Sequence, residues 1–375
     1  MTGLAQLREG VQRQWDVLAG RGAQRLQLME ICGTHTVAIS RGGLRELLPP
    51  GLRMVSGPGC PVCVTDQSYV DQAIVLARTP GVTIATYGDM VRVPGAHGSL
   101  EQARSAGADV QVVYAAHEAV ELARRSPDRQ VAFLAVGFET TAPATALAIL
   151  QARREGVRNF SVLPAHKLVL PAMHALLSSP DVQIDGFLCP GHVSIILGWR
   201  AYESIVAAHH RPCVVAGFEE EQILAGVEEI LRQIVEGAPA AVSVYPPVTP
   251  GGNAVAQRVL AEVFQPGDAR WRALGVIPGS GLELRPELRE FDVRSRIELP
   301  ELPSYELPGC RCGQVITGRS LPTDCPLFAT RCTPREPIGP CMVSSEGSCA
   351  AYYKYHRRPD RPGHSTGNEH LTSDR

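Results

Sequence analysis

Short apolar runs alternate with helix-like stretches from Leu26 to about Pro266. Apolar residues recur at helical spacing in SYVDQAIVLART, HEAVELARRS, SIILGWRAYESIVAAHH and EEEQILAGVEEILRQIVEG. The runs between them have the length and composition of buried strands: LQLMEI, LRMVSG, VTIATYG, DVQVVYA, QVAFLAVG, NFSVLPA, IDGFLCP, PCVVAGF and AVSVYPP. Alternating β and α units predict parallel sheets with helices on both faces. We therefore expect an α/β protein with two doubly wound, Rossmann-like domains.

The alternation stops after about Pro266, where the chain becomes rich in proline and glycine and loses its periodicity. Such a segment has little core of its own, so we expect its cysteines to hold a small irregular domain. The polar end RRPDRPGHSTGNEHLTSDR is typical of disorder. We predict an N-terminal helix (residues 1–25), a first α/β domain (26–155) and a second α/β domain (156–270). A crossover with a cysteine domain (271–356) and a disordered tail (357–375) follow.

Composition and charge argue against several classes of protein. The 375 residues are 44% hydrophobic and 20% charged, which is ordinary for a globular protein with a sizeable core. The formal net charge is −2 and no basic stripe is present, so nucleic acid is not expected as a partner. The N-terminus lacks the apolar region of a signal peptide, and no apolar run approaches the length of a membrane span. We expect a cytoplasmic protein with no membrane partner.

Eleven cysteines need a chemical explanation, because clustered cysteines in a reducing compartment usually indicate metal or redox chemistry. Four thiolates can hold a [4Fe–4S] cluster, since soft sulfur ligands suit iron. Zinc and disulfides are the alternatives, although zinc sites usually contain close C-x-x-C pairs and this part of the chain has none. Six of the eleven crowd together, more than one cluster needs: Cys310, Cys312, Cys325, Cys332, Cys341 and Cys349.

A C-x-x-C pair, Cys60 and Cys63, lies in the motif GPGCPVC after a predicted strand. If this motif opens a helix, the first thiol lies at the helix N-terminus, where the dipole favours the thiolate. Such a thiol serves as a nucleophile, a metal ligand or a disulfide partner. The alternative is a pair of buried cysteines in a tight turn.

The motif CGTHT follows the first predicted strand and contains Cys32 and His35, with Glu30 just before it. Cys32 and His35 are close enough in sequence to bind one ion. A lone cysteine of the core is the alternative, and the position after a strand favours the functional interpretation.

Three further motifs follow predicted strands: VGFETTAP, PGHVSIILG and AGFEEEQ. Ligands of open α/β sheets bind beyond the carboxyl ends of the strands, so Glu139 and His192 are candidates for the same site as the cysteine motifs. The alternative is helix capping by Thr140 and Ser194, with Glu139 as a charge in the first helical turn. Motifs for nucleotide binding and for serine hydrolases are missing from the sequence.

Together these motifs resemble one family, the hydrogenase maturation factor HypD. The resemblance rests on CGTHT, GPGCPVC, GFETT, GHVSIILG and the run CRCGQVITG…CPLF…C…GPCMVSSEGSCAAYY, and it spans roughly residues 26–356. It implies two α/β domains and a [4Fe–4S] domain. It also implies a complex with the small chaperone HypC and with HypE. On that scaffold an iron ion receives CN⁻ and CO and becomes the Fe(CN)2CO group of a [NiFe]-hydrogenase large subunit.

The resemblance also assigns roles to residues. Cys32 is implied to hold the iron jointly with a HypC cysteine, with Cys60, Cys63 and His35 nearby. The implied cluster ligands are Cys310, Cys325, Cys332 and Cys349, which leaves Cys312 and Cys341 as an accessory dithiol. Asp66 departs from the family, which usually has proline there, and we expect it to act as a turn or N-cap residue. Cys189 and Cys213 lie outside the motifs and are interpreted as core residues.

Three hypotheses therefore stand. The first is an assembly scaffold that holds iron. The second is a cluster-linked thiol–disulfide oxidoreductase of the ferredoxin–thioredoxin reductase type, with Cys60 and Cys63 as its working pair. The third is a metabolic enzyme with a structural cluster.

Overall fold

The computed structural model describes residues 3–356, and the tail expected to be disordered lies outside them. Within this range the strands are β1 to β11: Leu26–Glu30, Leu52–Ser56, Val82–Thr86, Asp109–Val112, Gln130–Gly137, Phe160–His166, Gly186–Pro190, Cys213–Ala216, Ala241–Ser243, Phe264–Trp271 and Gly275–Leu284. The helices are α1 to α17: Gly3–Gly20, Gly33–Arg41, Leu44–Leu47, Pro61–Val64, Gln67–Ala77, Gly88–Val91, Leu100–Ser105, Ala116–Arg125, Ala142–Glu155, Val169–Leu177, Gly191–Leu197, Glu203–His209, Glu220–Glu236, Ala254–Val263, Cys312–Ile316, Pro340–Val343 and Ser348–Tyr355.

Two parallel sheets form the body of the molecule. The first sheet has the order β2-β1-β7-β8-β9 and the second has the order β4-β3-β5-β6. Their central strands are apolar on both faces, as in β5, where residues 131–135 are fully buried. Strands covered by helices on both sides have this continuous apolar character. The α/β architecture expected from the sequence is confirmed.

The expected division of the chain near residue 156 is wrong. Strands β1 and β2 pair in one sheet with β7, β8 and β9, while β3 to β6 form the other sheet. The second sheet is therefore an insertion within the first. The N-terminal helix α1 is not a separate unit either, because it packs along α13, and Arg21 donates to the carbonyl of Val235. Apolar periodicity identifies a strand, but it carries no information about the strand's partner in space.

Two local predictions also fail. The stretch SIILGWRAYESIVAAHH is not one helix, because Gly198 has φ 81° and ends α11 before a 3-10 turn and α12. A side chain at Gly198 would lie 2.3 Å from the carbonyl oxygen of Pro250. The segment after Pro266 is not irregular at first, because β10 and β11 form an antiparallel hairpin. A bulge between Gly267 and Ala269 interrupts its pairing, which obscures the alternation expected of a strand.

The cysteine-rich segment, residues 310–349, packs against the loops at the carboxyl ends of the first sheet. It contains short helices and turns but no strand. Helices α15 and α16 contact α4, and α17 contacts α2. The irregular C-terminal region thus forms, as expected, but it covers the sheet rather than standing apart from it. In residues 3–356 no helix is both long enough and apolar enough to cross a membrane.

Candidate functional site

Cys32 is the N-cap residue of α2, directly after β1. Its backbone N–H donates to Oε2 of the buried Glu30 at 3.0 Å, and Thr36 donates to the other carboxyl oxygen. Burial raises the pKa of the Cys32 thiol to about 12, although the backbone N–H groups of His35 and Thr34 lower it. The thiol is therefore protonated, and a metal ion that binds it must displace the proton.

The GPGCPVC loop lies against Cys32 because residue 59 is glycine. A side chain at Gly59 would lie 2.2 Å from the backbone nitrogen of Cys32, and Gly33 donates to the Gly59 carbonyl at 3.1 Å. The motif opens the single helical turn α4, with Cys60 as N-cap and Pro61 in the first position. Cys60 and Cys63 form a disulfide, with their Cα atoms 5.2 Å apart. Asp66 caps the next helix, α5, by accepting from Ser68, so its expected N-cap role is confirmed.

His35 is fully buried in α2, and its Nε2 lies 2.8 Å from the carbonyl oxygen of Gly217. A carbonyl only accepts, so Nε2 carries the proton, and Nδ1 keeps a free lone pair with no hydrogen-bond partner. Burial lowers the pKa of His35 to about 4, which keeps the ring neutral. Phe218 packs between His35 and His192, at ring distances of 4.8 and 4.1 Å. The exposed His192 and the buried His35 therefore belong to one aromatic stack.

Glu139 lies apart from this stack, after β5 of the second sheet. Its Oε1 accepts the backbone N–H of Val169, the first residue of α10, at 2.9 Å, while its Oε2 is buried without a partner. Burial raises the pKa of Glu139 to about 7. Glu139 thus caps α10 rather than α9, which begins at Ala142 with Thr141, not Thr140, as its N-cap. Its charge reaches Tyr202.

Tyr202 is fully buried, and its pKa is raised by this burial and further by the charge of Glu139. Its hydroxyl lies 3.0 Å from Oγ of Ser194, which in turn donates to the carbonyl of Pro190. Ser194 is inside α11, so it is not the N-cap residue expected from the sequence. The fully buried Cys189 and Cys213 lie on the adjacent strands β7 and β8, near the same tyrosine.

The strand-end motifs thus divide between two places. CGTHT, GPGCPVC, PGHVS and AGFEEEQ follow β1, β2, β7 and β8, which are neighbours in the first sheet. GFETT follows β5 in the second sheet, and β5 contacts α4, the helical turn of GPGCPVC. Four of the motifs therefore share one edge of the first sheet, whereas Glu139 follows a strand of the other sheet.

Six cysteines of the cysteine-rich segment surround one small cavity, the thiol cavity, together with Phe328, Gly339 and Met342: Cys310, Cys312, Cys325, Cys332, Cys341 and Cys349. The chain passes very close to the sulfurs, since a side chain at Gly339 would lie 2.7 Å from Sγ of Cys310. Backbone N–H groups point at them as well: Cys312 N–H to Cys310 at 3.4 Å and Ile338 N–H to Cys332 at 3.3 Å. Such N–H···S contacts are typical of iron–sulfur sites.

The two cysteines expected to be spare are within reach of each other. Hydrogen bonds from the thiols of Cys310 and Cys341 lower the pKa of Cys312 well below its ordinary value. Cys341 also contacts Cys349, so the six thiols form a connected group. No three His, Cys, Asp or Glu side chains of residues 3–356 are arranged to hold a single metal ion. The donor set of soft, convergent thiols suits a multi-iron cluster, which spans a wider space than one ion.

Three contributors to the site were not predicted from the sequence. Glu346 of the cysteine-rich segment reaches the CGTHT loop, where it accepts from Thr34 Oγ1 at 2.9 Å, and its charge raises the pKa of Cys32 further. Phe218 falls in a motif that did attract notice, AGFEEEQ, but nothing marked this ring. Arg272, at the tip of the hairpin, contacts the loop of Cys63. All three act through contacts that are distant in sequence.

Comparisons with known proteins agree on one family. The family model described as "HypD: Hydrogenase formation hypA family" matches residues 6–356. The chain is 45% identical over 351 residues to the hydrogenase maturation factor HypD of Cupriavidus necator, covering 91% of this chain and 93% of the relative. It is 42% identical over 355 residues to HypD of Escherichia coli K12, covering 94% and 95%. It is also 42% identical over 334 residues to a putative hydrogenase expression/formation protein of Methanocaldococcus jannaschii, covering 89% and 93%. The chain therefore belongs to the HypD family of hydrogenase maturation factors.

Proposed function

We propose that this chain is the scaffold on which an iron ion receives CN⁻ and CO before delivery to a [NiFe]-hydrogenase. One observation carries the proposal: Gly59 brings the disulfide loop of Cys60 and Cys63 onto the backbone of Cys32, under the cover of Glu346. The proposed iron-binding thiol of Cys32 and the redox-active pair Cys60 and Cys63 are thus adjacent at one edge of the sheet. The working compartment is the reducing cytoplasm, where clustered thiols persist.

Cys32 is the proposed anchor of the iron, which is cargo rather than a resident metal. Low-spin iron carrying CN⁻ and CO is soft, and thiolate suits it. Because the Cys32 thiol is protonated, binding of the iron releases a proton. A cysteine of a HypC-type partner would supply a second thiolate, and the exposed His192 lies on the same aromatic stack.

The dithiol Cys60 and Cys63 supplies the electrons in this proposal. Release of cyanide from a thiocyanate group on a HypE-type partner takes two electrons and leaves a thiolate and CN⁻. Oxidation of two thiols to the disulfide gives up two electrons and two protons, so the two half-reactions balance. Glu139, with a pKa raised to about 7 by burial, is suited to exchange one of these protons.

The thiol cavity fits a [4Fe–4S] cluster on Cys310, Cys325, Cys332 and Cys349, with Cys312 and Cys341 as an adjacent dithiol. Such a cluster, when bound, supplies single electrons. Helices α15 and α16 contact α4, which contains Cys63. An electron from the cavity would therefore pass directly between these neighbouring helices.

Infrared spectra of the chain purified without oxygen together with its HypC-type partner test the proposal. We expect CN and CO stretching bands in the wild type and their loss in Cys32→Ala. Cys213→Ala, which removes a thiol buried in the first sheet, is the matched control and should keep the bands. Bands of equal strength in Cys32→Ala contradict the anchor role.

The Cys60–Cys63 disulfide also favours the second hypothesis, a thiol–disulfide oxidoreductase. The two functions differ in turnover. Repeated reduction of a partner disulfide by the chain, abolished in Cys63→Ser but unaffected by Cys32→Ala, would favour the oxidoreductase. Loss of the CN and CO bands in both variants without such turnover favours the scaffold.

A further inference from the structure

Arg272 is a buried arginine at the tip of the hairpin formed by β10 and β11. Only 7% of it is exposed. Its backbone N–H donates to the carbonyl of Val64 at 2.9 Å, and Trp271 beside it forms a bridge with Thr65. On the other side, a side chain at Gly313 of α15 would lie 2.5 Å from Cβ of Ala273. The hairpin tip therefore lies between the disulfide loop and the cysteine-rich segment.

The guanidinium of Arg272 binds the end of the disulfide loop with all three nitrogens. Nε donates to the carbonyl of Cys63 at 3.0 Å, Nη1 to Oε1 of Gln67 at 3.0 Å, and Nη2 to the carbonyl of Thr65 at 2.8 Å. The planar fork of arginine suits three acceptors in fixed directions, which a lysine does not reach together. The loop after Cys63 is thereby fixed to the hairpin.

These three acceptors are neutral, so the hydrogen bonds leave the positive charge of Arg272 in place. The charge is held beside the carbonyl of Cys63, at the end of the disulfide loop. A nearby cation favours a thiolate over a thiol, and its effect is larger in a buried site than in water. Reduction of the Cys60–Cys63 disulfide gives thiols that can lose a proton, and the cation stabilises the resulting thiolate, whereas the disulfide itself carries no charge.

We propose that Arg272 is a positioning residue that fixes the Cys60–Cys63 loop against the cysteine-rich segment and shifts the thiol–disulfide equilibrium of this pair toward the reduced form. In the step concerned, the Cys60–Cys63 S–S bond accepts two electrons and two protons and becomes two thiols, partly ionised. The biological meaning of the step rests on the proposed function, but the equilibrium itself does not.

The test is a redox titration of the full chain in dithiothreitol buffers, with thiol trapping and mass spectrometry of the peptide that contains Cys60 and Cys63. Dithiothreitol supplies the electrons and protons. We expect Arg272→Met to favour the disulfide at least tenfold, which for a two-electron couple is a decrease of about 30 mV in midpoint potential. Arg272→Lys keeps the charge and should stay within about threefold of the wild type.

Arg270→Met is the matched control, because it removes the same charge from an exposed position of the same hairpin. The midpoint potential of the Cys60–Cys63 pair in this variant should equal that of the wild type. Arg272→Gln is a second neutral variant whose amide can still donate to a loop carbonyl, and it decides the matter if Arg272→Met does not fold. The inference is overturned if a folded neutral variant has a thiol–disulfide equilibrium constant within threefold of the wild-type value. Loss of the CN and CO bands from the wild-type complex is a separate result, which refutes the proposed function instead.

Discussion

The two parallel sheets and the cysteine-rich segment are held together in different ways. The sheets bury large apolar side chains completely, such as Phe133, Phe160 and Phe187. The cysteine-rich segment has short helices, many turns and a cavity lined by its own thiols. A packed apolar core stabilises a fold without ligands, whereas thiols around a cavity stabilise one only when something joins them. A substitution in the cysteine-rich segment should therefore affect mainly metal binding, whereas one in a sheet should affect mainly the free energy of unfolding.

The largest expected effect is the loss of a thiol from the cavity. Cys332→Ala should abolish the visible absorbance of an iron–sulfur cluster and open the cysteine-rich segment to trypsin at Arg319 and Arg331. The second sheet should persist, since the apolar cluster around Phe133 and Phe160 contains none of the six cysteines. Absorbance and limited proteolysis followed by mass spectrometry measure both results. Replacement of Cys189, buried in β7, should leave the cluster in place. A cluster retained in Cys332→Ala would contradict the assigned ligand set.

A substitution that leaves a cavity in the core of the second sheet tests the other region. Phe160 is fully buried in β6, and Phe160→Ala should lower the free energy of unfolding by about 3–5 kcal/mol. Urea unfolding followed by circular dichroism measures this loss. The exposed Leu147 of α9 provides a control, because Leu147→Ala removes apolar atoms that are already in water. A small effect of Phe160→Ala would mean that the sheet, too, depends on ligands.

Glu139 tests how the sheets tolerate a buried acid. Its folded pKa of about 7 lies above the ordinary 4.5, so the folded state holds the proton more tightly than the unfolded state. Stability from this group is complete below pH 4.5 and is lost as the pH rises toward 7. Glu139→Gln keeps the acceptor for Val169 but cannot ionise. Its stability should exceed that of the wild type by at most about 1 kcal/mol at pH 5 and by up to about 3 kcal/mol at pH 8.

Denaturant unfolding at the two pH values measures this difference for Glu139. The exposed Glu101 is the control, and Glu101→Gln should show no such dependence. Equal stability of Glu139→Gln and the wild type at both pH values would show that water or a partner group reaches Oε2. Impaired hydrogenase maturation by a stable Glu139→Gln protein would support the proton-exchange role.

The smallest expected effect concerns Asp66, where the two regions meet. Its carboxylate accepts from Ser68 at the start of α5 and from Ser304, which lies before the cysteine-rich segment. Asp66→Ala should cost about 1 kcal/mol, the usual value of a lost N-cap. Asp66→Asn keeps an N-cap oxygen and should cost less. Thermal unfolding of both variants measures the difference, and equal costs would assign the effect to charge rather than capping.

The sequence was informative about local structure and much less so about pairing. All nine strand-like runs from Leu26 to the end of AVSVYPP form strands, because apolar and β-branched residues are concentrated in them. Their division between two sheets was not predictable, since β7, one of the two partners of β1, lies beyond an entire second sheet. The hairpin β10–β11 escaped notice because its prolines, glycines and bulge break the alternation.

The site shows the same limit. The motifs of Cys32, His35 and Cys60 were expected at one sheet edge, and they lie there because β1 and β2 are adjacent strands. Glu139 was expected there and lies in the other sheet, because its strand carries the same apolar pattern. Glu346 and Arg272 reach the site from distant parts of the chain, and neither lies at a strand end that would have marked it.

The insertion of one sheet within the other determines the order in which the chain can be completed on the ribosome. Strands β3 to β6 are contiguous and can close their sheet as soon as they emerge. Strands β1 and β2 must wait for β7, and the cysteine-rich segment emerges later still. Cys32 therefore remains without the cover of Glu346 until the cysteine-rich segment has been made. The contact of Thr34 with Glu346 joins positions 312 residues apart, so the loop around Cys32 is completed late in translation.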